Sequence, residues 1–169
     1  MFKIVVGLVA ALIFVGCSSH SAHNMKHSHA KMPQMFQTVP YEKATLLQSG
    51  ENKESCPVCG MNLVKFYKTT HGASHNGEMK QYCSIHCLAD HLDSGNELKN
   101  PTVVDVKSLE MISVMEAHYV VGSKVRGTMS RVSKYAFKDF KDAQEFQKKH
   151  GGKILDFYGA LEAAREDFK

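Results

Sequence analysis

The chain has 169 residues, 43% of them apolar, with a net charge of +4: enough for one ordinary domain or two very small ones with a buried core. Its Lys and Arg are scattered among acids without a stripe or long run, which argues against nucleic acid as a partner. What the composition concentrates is soft and imidazole donors, with 5 Cys, 9 Met and 10 His in a chain that has no Trp.

At the N-terminus Lys3 precedes an apolar stretch, Ile4 to Val15, that "FVGC" closes at Cys17, the pattern of an exported segment. The stretch is short for a bilayer span. Phe14-Val15-Gly16-Cys17 resembles a bacterial lipoprotein box, with Phe14 where leucine is usual. The resemblance implies that residues 1–17 are a lipoprotein signal and that Cys17 is lipidated, holding the protein on the periplasmic face of a membrane; a cleaved or uncleaved apolar anchor is the alternative. Acyl burial would supply roughly 0.8 kcal/mol per methylene. Four cysteines then remain in an oxidising space.

Residues 18–53 follow as an expected flexible tether, because "SSHSAHNMKHSHAKMPQMFQTVP" has few aliphatic residues and no period. It carries His20, His23, Met25, His27, His29, Met32 and Met35. Imidazole and thioether both suit copper, so the segment reads as a metal-collecting arm or, more plainly, as a polar spacer.

The remainder reads as α+β, with a ββαβ order that occurs twice. The first module, residues 54–109, runs from the strand-like "LVKFYKTT" through a turn-prone "HGASHNGE", with its Asn76-Gly77 hairpin signal, to "MKQYC", a helix and "TVVDV". In that helix Ile85, Leu88, Ala89 and Leu92 form an apolar stripe, Ser84 is a candidate N-cap and Gly95 a stop. The second module, residues 110–169, runs "AHYVVG", "KYAFKDF", a helix with Asp142 and Glu145 as a capping box and Gly151-Gly152 as its stop, then "KILDFY" and a short helix over Ala160 to Asp167.

The chemistry gathers in "CPVCGM" and "YCSIHC". Pro57 fixes one φ and Gly60 can take a positive one, so Cys56 and Cys59 form a knuckle with both sulfurs aimed at one centre. Cys83 ends a strand and Cys87 lies in the first turn of the helix, where its phase sets it roughly opposite the apolar stripe and beside His91. Structural Zn(II) held by two cysteine pairs, a Cys56-Cys59 redox dithiol, and Cu(I) held by sulfur all remain open. Met61 tilts the choice toward Cu(I), since a thioether cannot be oxidised into a disulfide and binds loosely enough to hand the ion on. His86 and His91 are possible further ligands, although surface histidine is the plainer reading, as it is for His71 and His75 in the hairpin loop. Met111 and Met115 read as packing residues, and His118 and His150 as structural.

Together "CPVCGM", "MKQYCSIHCLADHL" and "YVVGSKVRGTMSRVSKYAFKDFKDAQEFQKKHGGKILDF" resemble the NosL family, accessory lipoproteins of nitrous oxide reductase. The resemblance covers nearly all of residues 54–158. It implies a non-enzymatic periplasmic Cu(I) metallochaperone with a repeated ββαβ fold similar to part of organomercurial lyase, and as client nitrous oxide reductase or another periplasmic copper enzyme. Cys56, Cys59 and Met61 fall on the family's knuckle, and Met129 on the methionine of its "GTM" loop. Cys83 and Cys87 look more like the heavy-metal-binding YHS or TRASH module and would form a second site or join the first. The rival readings are a Zn(II)-stabilised interaction module and a thiol oxidoreductase or organomercurial-lyase-like enzyme.

Overall fold

A computed structural model describes residues 35–167. The fold is α+β, as expected, although its first strand lies further along the chain than the apolar pattern places it. "LVKFYKTT" is not a strand. Residues 62–70 turn back on themselves, with Phe66 N donating to Asn62 O and Tyr67 N to Val64 O, and finish in a 3-10 turn at Tyr67–Thr69. Leu63 and Tyr67 are fully buried, so their apolar character reflects burial in an irregular segment and not a pleat. Strand β1 is His71–His75, paired antiparallel with β2, Glu78–Tyr82. Asn76 and Gly77 connect them at φ 51° and 82°, the two positive values that a tight hairpin turn needs and that Asn-Gly supplies.

Helix α1, Ile85–Asp93, follows β2 with Ser84 at its N-cap. Then come β3, Lys99–Val104, and β4, Met111–Ser113, giving an antiparallel sheet ordered β2-β1-β3-β4. The second half continues with β5, His118–Val121, β6, Lys134–Phe137, helix α2, Phe140–His150, and β7, Lys153–Leu155, in a sheet ordered β6-β5-β7. Both halves therefore run ββαβ, and in both the first strand lies between the second and the third. Helix α2 starts at Phe140 behind Asp139, so Asp142 and Glu145 lie inside it and do not form its cap. Helix α3, Phe157–Glu166, likewise begins three residues before the expected Ala160, because the Asp156 carboxylate accepts a hydrogen bond from Gly159 N.

One core joins the halves. Tyr82, Ile85, Leu88 and Val103 from the first pack with Tyr119, Val121, Phe157 and Leu161 from the second in a single buried cluster. Part of the expected tether also belongs to the folded unit. Val39 is buried with Tyr67 and Val104, Phe36 meets Tyr135 edge-on at 5.2 Å, and Gln81 exchanges side-chain hydrogen bonds with the backbone of Thr45 and Leu47. A few well-placed side chains anchor this stretch, which is why mean composition reads it as unstructured.

Candidate metal centre

The knuckle closes through backbone hydrogen bonds. Gly60 N donates to Cys56 O at 2.8 Å, Cys56 N to Met61 O at 2.9 Å, and Leu63 N to Glu54 O at 2.8 Å. Gly60 has φ 74° with open space where a Cβ would stand, so glycine is needed there for its backbone conformation and not for room.

The second cysteine pair comes from the hairpin and helix. Cys83 directly follows β2, and Cys87 is the third residue of α1. Its burial overturns the helical-phase expectation: Cys87 is 1% exposed, and Ile85, His86, Leu88 and Ala89 around it are buried as well. The first turn of α1 is enclosed on all sides, by the core on its apolar face and by the cysteine knuckle and a polar cluster on the others, so a one-sided stripe does not predict what is covered. Its N-terminal dipole end favours negative charge on sulfurs placed there.

Cys56, Cys59, Cys83 and Cys87 bring their sulfurs within 4.8 Å of one another. Cys83 Sγ stands 3.4 Å from Cys59 Sγ, 3.7 Å from Cys87 Sγ and 4.0 Å from Met61 Sδ. All four cysteines are free thiols; Cys59 is exposed and the other three are buried. For scale, a tetrahedral thiolate centre with metal–sulfur bonds of about 2.3 Å has sulfur–sulfur edges of about 3.8 Å. The four sulfurs thus form one cluster of metal-site dimensions, with Cys83 and Cys87 inside it.

Four sulfurs this close cannot all carry charge without a cation among them. Hydrogen bonds from Cys83 and Cys87 hold the Cys56 thiol far below its ordinary range, against the opposing effect of burial. The same bond to Cys56 pushes Cys83 up, and Cys87 is raised likewise. Hydrogen bonding within the cluster thus favours a shared, partly protonated set of thiols over four separate charges.

The histidines lie elsewhere. Among the described residues, the metal-sized cluster contains no histidine. His86 is buried against Lys134 Nζ at 3.2 Å and Asp167 Oδ2 at 3.3 Å. Burial lowers its imidazole to about 4. His91 Nδ1 meets the Tyr82 hydroxyl at 2.6 Å, and its ring lies 4.9 Å from that of His75. His71 is not in a surface loop: it sits in β1 at 1% exposure, hydrogen-bonded to Thr69 O and Tyr119 Oη. Met115 is 62% exposed and so does not pack as expected. Cys17, His20, His23, Met25, His27, His29 and Met32 lie outside the described residues, and Met35 is exposed.

Met129 occupies an unusual position. It is 41% exposed and adopts φ 52°, left-handed backbone that a side-chain-bearing residue takes only when its surroundings impose it. Its neighbour Thr128 is buried, with its hydroxyl 2.7 Å from that of Thr69, which in turn donates to Cys83 O at 2.8 Å. The "GTM" loop is thereby tied to the backbone of a cluster cysteine. Sequence reasoning missed Thr69, Thr128, Ser130, Lys134 and Asp167. None sits in a spacing pattern, and their link to the site comes from folding alone.

The family model for NosL matches residues 48–162. The chain belongs to the NosL family. The crystal structure of the copper chaperone NosL from Shewanella denitrificans is similar in fold, with a TM-score of 0.53 and 24% identity over 70% of this chain and 96% of that one. No curated protein matches. The match spans the knuckle, the hairpin, α1 and the "GTM" loop, so this NosL member carries its sulfur cluster inside the family region.

Proposed function

We propose that this protein is a Cu(I) metallochaperone of the bacterial periplasm, lipid-anchored through Cys17, that delivers copper to nitrous oxide reductase or another copper enzyme of that space. The observation that carries the copper reading is the sulfur cluster: four thiols within 4.8 Å, with a thioether 4.0 Å from Cys83, in a chain whose fold matches a copper chaperone. Cu(I) is a soft ion that thiolate and thioether ligands select.

The distribution of exposure suggests how the ion passes. Cys56, Cys83 and Cys87 form a buried floor, while Cys59 and Met129 face solvent. An incoming partner thiolate or imidazole meets the exposed donors first. It displaces the uncharged thioethers of Met129 and Met61, then Cys59, while the buried sulfurs retain the ion until the new bonds have formed. Nothing in this sequence requires turnover or a positioned general acid. The His/Met-rich residues 18–35 would raise the local supply of ions.

The test is anaerobic Cu(I) competition on the reduced full chain. Cys59→Ser and Met61→Leu should each weaken binding by about tenfold or more, in line with the loss of one ligand-shell interaction. Unchanged affinity in both variants contradicts the assignment.

One observation favours a second reading. The spacings of the four sulfurs also suit a closed tetrahedral Zn(II) site, which would make the protein a zinc-stabilised interaction module. Zinc in this geometry has no use for a thioether, so Met61→Leu and Met129→Leu would leave zinc affinity intact, while chelation would unfold the chain.

A further inference from the structure

A buried carboxylate outside the metal centre, Asp167, lies just beyond the end of α3. Its side chain is 3% exposed. Oδ2 accepts from Ser130 Oγ at 2.6 Å, Val132 N at 3.2 Å and Lys134 Nζ at 3.2 Å, and stands 3.3 Å from His86 Nε2. The backbone oxygen of the same residue accepts from Arg131 at 3.2 Å. Lys134 Nζ also reaches Ser130 Oγ at 3.3 Å and is itself 2% exposed. The carboxylate thus gathers Ser130 and Val132 of the loop between β5 and β6 with Lys134 at the start of β6, the backbone oxygen adds Arg131, and the carboxylate joins them to His86 on α1, next to Cys87.

This arrangement brackets Met129. On one side Thr128 is fixed through Thr69 to Cys83 O; on the other, Ser130 is fixed to Asp167. Between two anchored neighbours, Met129 is held in left-handed backbone and remains 41% exposed. Such a conformation opposes the intrinsic preference of methionine and persists only where its flanks are over-determined. A loop that served merely to connect two strands would not need a buried carboxylate from the far end of the chain to hold it.

We infer that Asp167 is a positioning residue for the metal site: by clamping Ser130, Val132 and Lys134 to α1 it fixes the loop that presents the Met129 thioether to the ion held by the cysteines. This rests on the reading of Met129 as a sulfur donor. Asp167 does not touch the ion. Its effect runs through the geometry of residues 128–132, so its contribution to affinity is the contribution of Met129 and nothing beyond it.

A double-mutant cycle in the full chain tests this, with anaerobic Cu(I) competition as the readout and thermal unfolding as the check on folding. Met129→Leu should weaken Cu(I) binding about tenfold, Asp167→Asn should weaken it by a comparable factor, and the double variant should be no weaker than either single one. X-ray absorption at the copper edge should show the same loss of one sulfur from the ligand shell in all three. If Met129→Leu leaves affinity unchanged, the donor reading of Met129 fails and takes the inference with it. If Met129→Leu weakens binding while Asp167→Asn does not, or the two effects multiply, the donor reading stands and the positioning role is overturned. Should Asp167→Asn not fold, Ser130→Ala replaces it in the cycle under the same criteria, since it removes the contact next to Met129 and leaves the Lys134–Asp167 pair in place.

Discussion

His71 provides a sharp test of the fold, because its environment sets a sign and a size. Its imidazole is 1% exposed, with Nδ1 donating to Thr69 O at 3.1 Å and Nε2 accepting from the Tyr119 hydroxyl at 3.2 Å. Burial pushes it from its ordinary 6.5 down to about 3, with the Thr69 bond opposing and His86 adding a smaller push down. The folded value is depressed, so the unfolded chain takes up a proton first as pH falls. Stability is then fully present above about pH 6.5 and declines toward pH 3. Between pH 7 and pH 4.5 the loss from this one group is about 2.5 kcal/mol, at about 1.4 kcal/mol per pH unit inside the window. His86, lowered to about 4, adds a loss of the same sign. The assay is urea unfolding of reduced, metal-free protein at several pH values, comparing the wild type with His71→Gln. The variant should be less stable at pH 7, yet its stability should fall by about 2.5 kcal/mol less on acidification. Parallel pH profiles for the two proteins would refute the assignment of a neutral, buried imidazole.

Further outcomes follow from the same structure. Leu63→Ala, at a fully buried position in the turn after the knuckle, should destabilise the protein by about 2–5 kcal/mol in denaturant unfolding. Asp105→Ala should destabilise by about 2–3 kcal/mol, because the carboxylate accepts hydrogen bonds from Ser108 N, Ser108 Oγ, Lys107 N and Lys138 N. Burial raises the Asp105 carboxyl, but the Ser108, Lys138 and Lys107 bonds outweigh it and hold it below the usual range. The penalty of that variant should therefore fade as pH drops below the ordinary carboxylate range. Cu(I) affinity should fall steeply on acidification, by about tenfold per pH unit for each proton released, since raised Cys83 and Cys87 must give up their protons on binding. Competition at pH 6.5 and 7.5 checks the slope; a difference below tenfold would contradict it.

The sequence made the helices, the Asn76-Gly77 turn, the repeated element order and the pairing of two cysteine motifs legible, because each rests on local rules. Ser84 occupies the N-cap position of α1 without a side-chain capping bond, Gly95 just past its end takes a positive φ, and the hairpin turn falls on the two residues that tolerate positive φ. What it hid is decided by long-range packing. "LVKFYKTT" is apolar because Leu63 and Tyr67 are buried, and without a partner strand that burial is indistinguishable from a pleat. Conversely, β1 reads as loop from its His, Gly and Ser, yet lies between β2 and β3 with its first three residues buried. Cys87 was misread because a helical wheel assumes one covered face. The clamp at Asp167 was invisible, since its partners lie 33 to 37 residues away and, for His86, in the other half of the fold.

The central claim concerns which ion these sulfurs hold. The most direct measurement is native mass spectrometry of the reduced full chain after anaerobic exposure to equal amounts of Cu(I) and Zn(II). The account predicts retention of copper with the four thiols intact, and loss of that preference in Met61→Leu and Met129→Leu. Retention of zinc instead, unaffected by either methionine change, would contradict it.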